Sequence, residues 1–246
     1  MFRIGSLFSG SGGFELAATL CGMEPIWASE IEPFPIRVTT KRFPHLKHYG
    51  DISSIIGSDL EPVDLITGGS PCQDMSVAGK RKGMSKECPK CGYKSVANED
   101  ADICPECGSE MKAFGKYDES EKASCLKTRD YKDSTDLIVE PSYIVRRLTP
   151  IECSRLQGFP DWWLDGLETH EPTGHDIAFW REVFETHRNV VTGAKKPKTD
   201  KQIIKWLKNP YSDGAAYKLW GNGIALPCFL YVMEGIKEVL DRTSNE

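Results

Sequence analysis

Cys72 stands between Pro71 and Gln73 in GGSPCQDMSVAGKRKG, residues 68–83, on a glycine-rich turn followed by Lys80, Arg81 and Lys82. Three roles are open to such a thiol: a small buried hydrophobe, a metal ligand, or a nucleophile directed at something anionic. The turn follows an apolar run, and the nearby lysine and arginine favour thiolate over thiol. Nine cysteines are present, at 21, 72, 88, 91, 104, 107, 125, 153 and 228. Four of them form Cys88-x-x-Cys91 and Cys104-x-x-Cys107, each inside a CPKCG or CPECG knuckle, with twelve residues between the pairs. That spacing predicts four thiolates around one structural zinc ion and leaves Cys72 outside the metal set.

A second set of residues reads as a ligand cradle. SLFSGSGG, residues 6–13, places glycines where backbone must turn with positive φ or approach a ligand closely, and a helix N-terminus follows. It is not the dinucleotide pattern G-x-G-x-x-G, because Gly13 directly follows Gly12 and the third glycine is absent. Glu30 ends the next strand-like run, about 20 residues on, where a carboxylate takes both hydroxyls of an adenosine ribose. Asp51 is placed to meet the adenine amino group. Each carboxylate alone reads as surface charge; glycine turn, Glu30 and Asp51 in this order point to an adenosine cofactor.

The elements that would position these groups alternate. RIGSLF, PIWASE and PVDLITGG read as buried strands, and FELAATLCGM and PFPIRVTTKRF as the helices between them, which is the rhythm of a parallel sheet covered by helices. Residues 84–135 break that rhythm and read as an inserted module with linkers. DLIVEPSYIVRRL resumes as a strand or extended segment. TPIECSRLQGF opens a helix with Thr149 as N-cap, Pro150 at its first position and Glu152 closing a capping box. DIAFWREVFETHR and DKQIIKWLKN are amphipathic helices separated by a lysine-rich loop, and GIALPCFLYVMEGIKEVLDR is a closing helix. Asn222 reads as part of a turn before that helix. His170, His175 and His187 read as surface residues, and Trp162, Trp163, Trp180 and Trp206 as packing residues.

With 246 residues, 39% hydrophobic and 27% charged, the chain has the composition of a globular protein. No apolar run approaches the roughly 20 residues of a membrane-spanning helix, and no signal peptide is evident at Met1-Phe2-Arg3, so a cytoplasmic protein without a membrane partner is expected. A net charge of −5 excludes a globally basic nucleic-acid binder. The cations are nonetheless clumped, at 80–82, 146–147 and 195–198, and local patches can hold phosphates on an acidic protein.

The stretches SLFSGSGGFELA, ASEIEPF, GDIS, GGSPCQDMSVAGKRKG, RRLTPIECSRLQGFPDWW and YKLWGNGIALP closely resemble, in that order, motifs of the DNA cytosine-5 methyltransferases. The resemblance covers residues 3–83 and about 124–236. It implies a Rossmann-like, S-adenosylmethionine-dependent α/β domain with a mainly parallel sheet, plus a small zinc-ribbon-like insert and a reduced second lobe. It also implies S-adenosylmethionine as cofactor, duplex DNA as partner and Cys72 as catalytic nucleophile, adding to C6 of a cytosine flipped out of the duplex. By the same resemblance Phe8, Gly10, Gly12, Gly13, Glu30, Asp51, Pro71 and Asn222 line the cofactor site. Gln73 and Ser76 lie near the flipped nucleotide or its backbone; apart from the resemblance, Arg155 on its capped helix, with Arg146 and Arg147 before it, reads as a phosphate contact.

The chain departs from the family between the Pro-Cys-Gln motif and the closing motifs. Neither a Glu-Asn-Val strand nor a Gln-x-Arg-x-Arg strand is present, and no long target-recognition region follows. In the family the Glu stabilises the adduct and the Arg orients the base, and losing one such group typically costs roughly 2.7 to 4 kcal/mol of barrier. The expected division is 1–83 for the first part of the catalytic domain, 84–135 for the insert with Cys88, Cys91, Cys104 and Cys107, 136–215 for the reduced lobe, and 216–246 for the helix that completes the catalytic domain. Two alternatives stand beside the enzyme: a catalytically impaired relative that binds cofactor or DNA, and one subunit of an enzyme completed by a second polypeptide carrying the missing Glu and Arg.

Overall fold

The computed structural model describes residues 2–69, 86–87, 90–91, 104–109, 112–113, 137–139, 145–194 and 196–243. The chain falls into two compact units, Met1–Gly69 with Cys125–Glu246, and Ser70–Ser124.

The larger unit is built on a parallel sheet. β1 (Arg3–Leu7), β2 (Glu24–Ser29), β3 (Lys47–His48) and β4 (Leu65–Gly68) lie in the order β3-β2-β1-β4, with β1 central and every pairing parallel. The alternation of strands and helices expected from the sequence is therefore present, and the two-residue β3 is an addition to it. α1 (Gly13–Leu20) and α2 (Pro33–Arg42) make the crossovers. After the two-stranded ribbon of β7 (Leu137–Val139) and β8 (Val145–Arg147) come α3 (Pro150–Leu156), α4 (Gly174–His187), α5 (Asp200–Lys208), α6 (Asp213–Asn222) and α7 (Leu226–Thr243). The capping box read at Thr149 and Glu152 is formed, and Thr173 with Asp176 and Thr199 with Gln202 repeat it on α4 and α5.

Two cores result. Ile4, Ala17, Ala28, Val38, Phe159, Trp163, Leu219, Trp220 and Met233 are buried together around the sheet, with α7 lying on α1 through an edge-to-face contact of Phe14 and Phe229 at 4.7 Å. A smaller core joins Ile36 of α2 to Trp180, Val183 and Phe184 of α4 and to Ile203 and Leu207 of α5. α2 also anchors the segment before α4. Arg37 donates to the Leu167 carbonyl and to Thr169 Oγ1, and Arg42 to the carbonyls of Trp162, Trp163 and Asp165. Trp163 and Trp180 pack as the sequence indicates, whereas Trp162 is 53% exposed beneath the Arg42 guanidinium.

The smaller unit pairs β5 (Lys86–Glu87) antiparallel with β6 (Lys112–Ala113). Between them the Cys104 carbonyl accepts the Gly108 N–H at 2.9 Å, closing the turn of the second cysteine knuckle. Among the described residues no helix is long and apolar enough to cross a membrane.

His48 gives a pH-dependent test of this packing. Its Nε2 lies 3.2 Å from Thr39 Oγ1, its Nδ1 is buried, and burial pushes its pKa down to about 4 from 6.5. The folded state therefore holds a neutral ring where the unfolded chain is protonated, so stability falls as pH drops from 6.5 to 4. The contribution over that window is about 3 kcal/mol at one pKa unit per 1.36 kcal/mol. His48→Gln removes the titration. Denaturant unfolding at pH 7 and pH 4 should show wild type losing about 3 kcal/mol more than the variant, and equal losses would refute the assignment.

Candidate cofactor site

The site is built on the turn between β1 and α1. Phe8, Gly10 and Gly12 have φ of 55°, 57° and 82°. A non-glycine residue there is uncommon, and such conformations concentrate where the backbone faces a ligand. Gly12 is the N-cap of α1, and its carbonyl accepts the Leu16 N–H at 2.9 Å. The Ser9 N–H donates to the Ser29 carbonyl at 3.2 Å, tying the turn to the end of β2.

Glu30 follows β2 and binds the turn directly. One carboxylate oxygen accepts the Gly10 N–H at 2.9 Å, and the other accepts the N–H groups of Ile31 and Glu32 at 2.8 and 3.0 Å. Burial raises its pKa, and the three N–H donors oppose that shift only in part. Asp51 lies one strand over, past the end of β3, where Ser29 Oγ–H donates to the Gly50 carbonyl at 2.8 Å. Its carboxylate caps a short 3₁₀ turn by accepting the Ser53 N–H at 3.0 Å.

The C-terminal part of the chain closes over the turn. Trp163 Nε1–H donates to the Ser11 carbonyl at 2.8 Å, a buried bond across 152 residues. Gly13 lies so close to Ile224 that a Cβ there would sit 2.7 Å from Ile224 Cγ1. The Asn222 carbonyl faces Gly10, 3.9 Å from where a Cβ would stand. Asn222 itself is the last residue of α6, which corrects the reading of it as part of a turn. Ser212 caps that helix by accepting the Ala215 N–H, and the Asn-Gly step marks its end. Gln157 Nε2–H, at the C-terminal cap of α3, donates to the Trp220 carbonyl and so links α3 to α6.

Phe8, Gly10, Gly12, Gly13, Glu30 and Asn222 are thus gathered at the C-terminal ends of β1 and β2, with Asp51 on the neighbouring strand end. In open parallel sheets this is the edge where ligands bind. A cavity of about 510 Å³ lined by Arg3, Glu24, Lys47 and Glu61 opens instead at the N-terminal end of the strands. Arg155 makes a bidentate pair with Asp161, at 2.8 and 2.6 Å. Pro71, Cys72, Gln73, Ser76 and Cys88 lie outside the described residues.

Two groups at the site escaped the sequence reading. Glu15, in the first turn of α1, is fully buried, accepts hydrogen bonds from Ser6 Oγ and Ser9 Oγ, and has its pKa raised by burial. Glu32 lies two residues past Glu30. Burial works to raise its pKa, but His187 Nε2 at 3.4 Å and Lys218 Nζ at 2.7 Å outweigh it and hold the carboxyl at about 2. His187 is therefore not a simple surface residue. Its only sequence signal was a position at the end of α4.

In the smaller unit the sulfurs of Cys91, Cys104 and Cys107 lie within 4.8 Å of one another, and those of Cys91 and Cys104 are 3.5 Å apart. That is well beyond the about 2.05 Å of a disulfide. It fits the edge of a thiolate tetrahedron around zinc, about 3.8 Å for Zn–S bonds of about 2.3 Å.

Residues 2–91 match a family profile described as C-5 cytosine-specific DNA methylase. The chain is 38% identical over 87 residues to a DNA N-6-adenine-methyltransferase of Escherichia phage P1, covering 34% of this chain and 12% of that protein. It is 36% identical over 119 residues to the orphan methyltransferase M.SPBetaI of Bacillus phage SPbeta, covering 45% and 27%. With the type II methyltransferase M.HhaI of Haemophilus parahaemolyticus it shares 36% over 82 residues, covering 33% and 25%. The chain thus spans between 12% and 27% of the length of these relatives.

The contact of Gly13 with Ile224 can be tested without any ligand. Gly13→Ala should destabilise the protein by about 1–3 kcal/mol through overpacking. Combined with Ile224→Ala it should cost at least about 0.5 kcal/mol less than the sum of the two single changes. Additive denaturation energies would separate the two residues.

Proposed function

We propose that this chain, whose residues 2–91 carry the C-5 cytosine-specific DNA methylase pattern, binds S-adenosylmethionine at the glycine turn and methylates C5 of cytosine in duplex DNA. The observation that carries the reading is Glu30, fixed by three backbone N–H groups at the end of β2 beside a turn with positive φ at Phe8, Gly10 and Gly12. A carboxylate there can accept two ribose hydroxyls, and Asp51 on the next strand end supports an adenine contact.

S-adenosylmethionine, when bound, would supply an electrophilic methyl group. The chain's own contribution is Cys72: its thiolate would add to C6 of an extruded cytosine, forming an S–C6 bond and placing electron density on C5. Once C5 has gained the methyl group and lost its proton, the S–C6 electron pair returns to sulfur and the ring double bond is restored. Pro71, Gln73 and Ser76 would shape that pocket, and Arg155 would reach a phosphate by exchanging its bond with Asp161. A second reading is favoured by the absence from the sequence of the Glu-Asn-Val and Gln-x-Arg-x-Arg motifs. In it the chain keeps the cofactor site but turns over only with a second polypeptide, or not at all.

The zinc reading concerns the smaller unit alone. Cys91, Cys104 and Cys107, with Cys88 as the fourth ligand, would hold one structural zinc ion, supported by the three clustered sulfurs. Elemental analysis of freshly purified protein should give about one zinc per chain, and Cys104→Ser should lose it. Zinc well below one equivalent in wild type would end this reading.

For the main site, calorimetry should show S-adenosylmethionine binding to wild type and an affinity roughly ten- to a hundredfold weaker for Glu30→Ala, as expected for lost charge-assisted hydrogen bonds. With a tritiated methyl donor and mixed-sequence duplex, label should reach cytosine C5 in wild type and not in Cys72→Ser. Binding without label selects the impaired relative. Label appearing only with an added polypeptide selects the divided enzyme, and no cofactor binding overturns both.

A further inference from the structure

We propose that α5 and the loop leading into it form a contact surface for the phosphate backbone of duplex DNA. The inference rests on the methylase reading for its partner and names a surface in the segment between the two closing motifs. α5 buries Ile203 and Leu207 completely against α2 and α4. Its capping box at Thr199 and Gln202 fixes its start. The opposite face exposes Lys201, Lys205 and Lys208, and Lys196 and Lys198 are exposed in the loop before it.

Three observations separate this face from an ordinary solvated one. It carries one sign: the only acidic residue of α5, Asp200, is taken by Arg181 at 2.7 Å. No carboxylate of the described residues pairs with any of the five lysines, whereas Lys237 and Arg242 on α7 and Lys218 on α6 are all paired. On a chain of net charge −5, a rigid one-signed helix face is a local positive field that attracts a polyanion. The spacing also fits, since Lys201 and Lys208 are about 10 Å apart along a helix rising 1.5 Å per residue. That is about three phosphate steps of a B-form strand.

The third observation is position. α4 and α5 are docked on α2, and His187 at the end of α4 lies 3.4 Å from Glu32, two residues past the cofactor carboxylate. Thr186 Cγ2 also lies 3.9 Å from where a Cβ on Gly50, beside Asp51, would stand. The lysine helix thus belongs to the same lobe that reaches the rim of the cofactor site. In a chain without a long recognition region, it supplies cationic contacts that carry no base specificity.

The test is the salt dependence of binding to a mixed-sequence duplex. The combined change Lys201→Ala, Lys205→Ala and Lys208→Ala should lower the slope of log K against log salt by roughly 0.9 per lost phosphate contact, close to 3 in all. It should weaken binding about tenfold or more at moderate salt while leaving the melting temperature and cofactor affinity unchanged. Lys237→Ala with Arg242→Ala, on paired cations of α7, should leave the slope unaltered. An unchanged slope in the triple variant, or wild-type protein that binds no duplex, would overturn the proposal. Tighter binding of duplex RNA than of DNA would overturn DNA as the partner. Cofactor affinity reads the methylase assignment separately, so failure of one leaves the other measurable.

Discussion

The structure depends on how the main chain of residues 8–13 is held, with three of its six residues in a conformation that side chains disfavour. Left-handed backbone at Phe8 does not persist by local preference, so surrounding structure must over-determine it. The segment is held from four directions: Glu30 on the Gly10 N–H, the Ser29 carbonyl on the Ser9 N–H, Trp163 on the Ser11 carbonyl, and Ile224 against Gly13. Two of these come from beyond residue 160. The strands and helices of residues 1–69 are therefore insufficient to fix the site. The same contacts explain why Cys125–Glu246 forms one unit with Met1–Gly69 across the intervening segment.

What was legible in the sequence is what short-range physics decides. The capping box of α3, the strand-helix alternation, the amphipathic helices α4 and α5 and the placement of Glu30 after a strand all follow from spacing along the chain. β3 was missed because two residues carry no periodicity. α6 was missed because Gly214 and Gly221 lower its helical preference and the Asn222-Gly223 step looks like a turn, though the helix is held through Ala216, Leu219 and Trp220 in the core. Contacts between distant residues were the least visible. Nothing near His187 signals that Glu32 will be its partner, and nothing in GFPDWW signals that one indole will hold a turn 152 residues away.

The sheet shows where the site is built and where it stops. β1 is covered by β2 on one side and β4 on the other, and among the described residues β4 has no further partner. Ile66 on β4 is 57% exposed, unlike the buried apolar residues of β1 and β2. Parallel sheets are ordinarily covered on both faces and continued by further strands, because an open edge leaves a row of unpaired N–H and C=O groups. The described candidate cofactor residues sit at the ends of β1, β2 and β3, at the start of α1 and at the end of α6, none of them on β4.

Three carboxylates near the turn show which effect wins at each position. Glu15 lies in the first turn of α1, where the helix dipole favours an anion, and two serines donate to it; burial still prevails and its pKa rises. Glu30 has three backbone donors, and burial prevails there too. Glu32 is also desolvated, but hydrogen bonds and charge interactions with His187 and Lys218 bring its pKa down to about 2. The three differ in their donors: Glu15 and Glu30 have hydroxyl and backbone N–H groups, whereas Glu32 has the side chains of His187 and Lys218, which add charge interactions to their hydrogen bonds. His187 ends α4 and Lys218 lies on α6, so both partners come from beyond residue 160. The C-terminal part of the chain therefore completes the candidate site electrically as well as sterically, and loss of those contacts would leave a buried anion next to Glu30 without compensation.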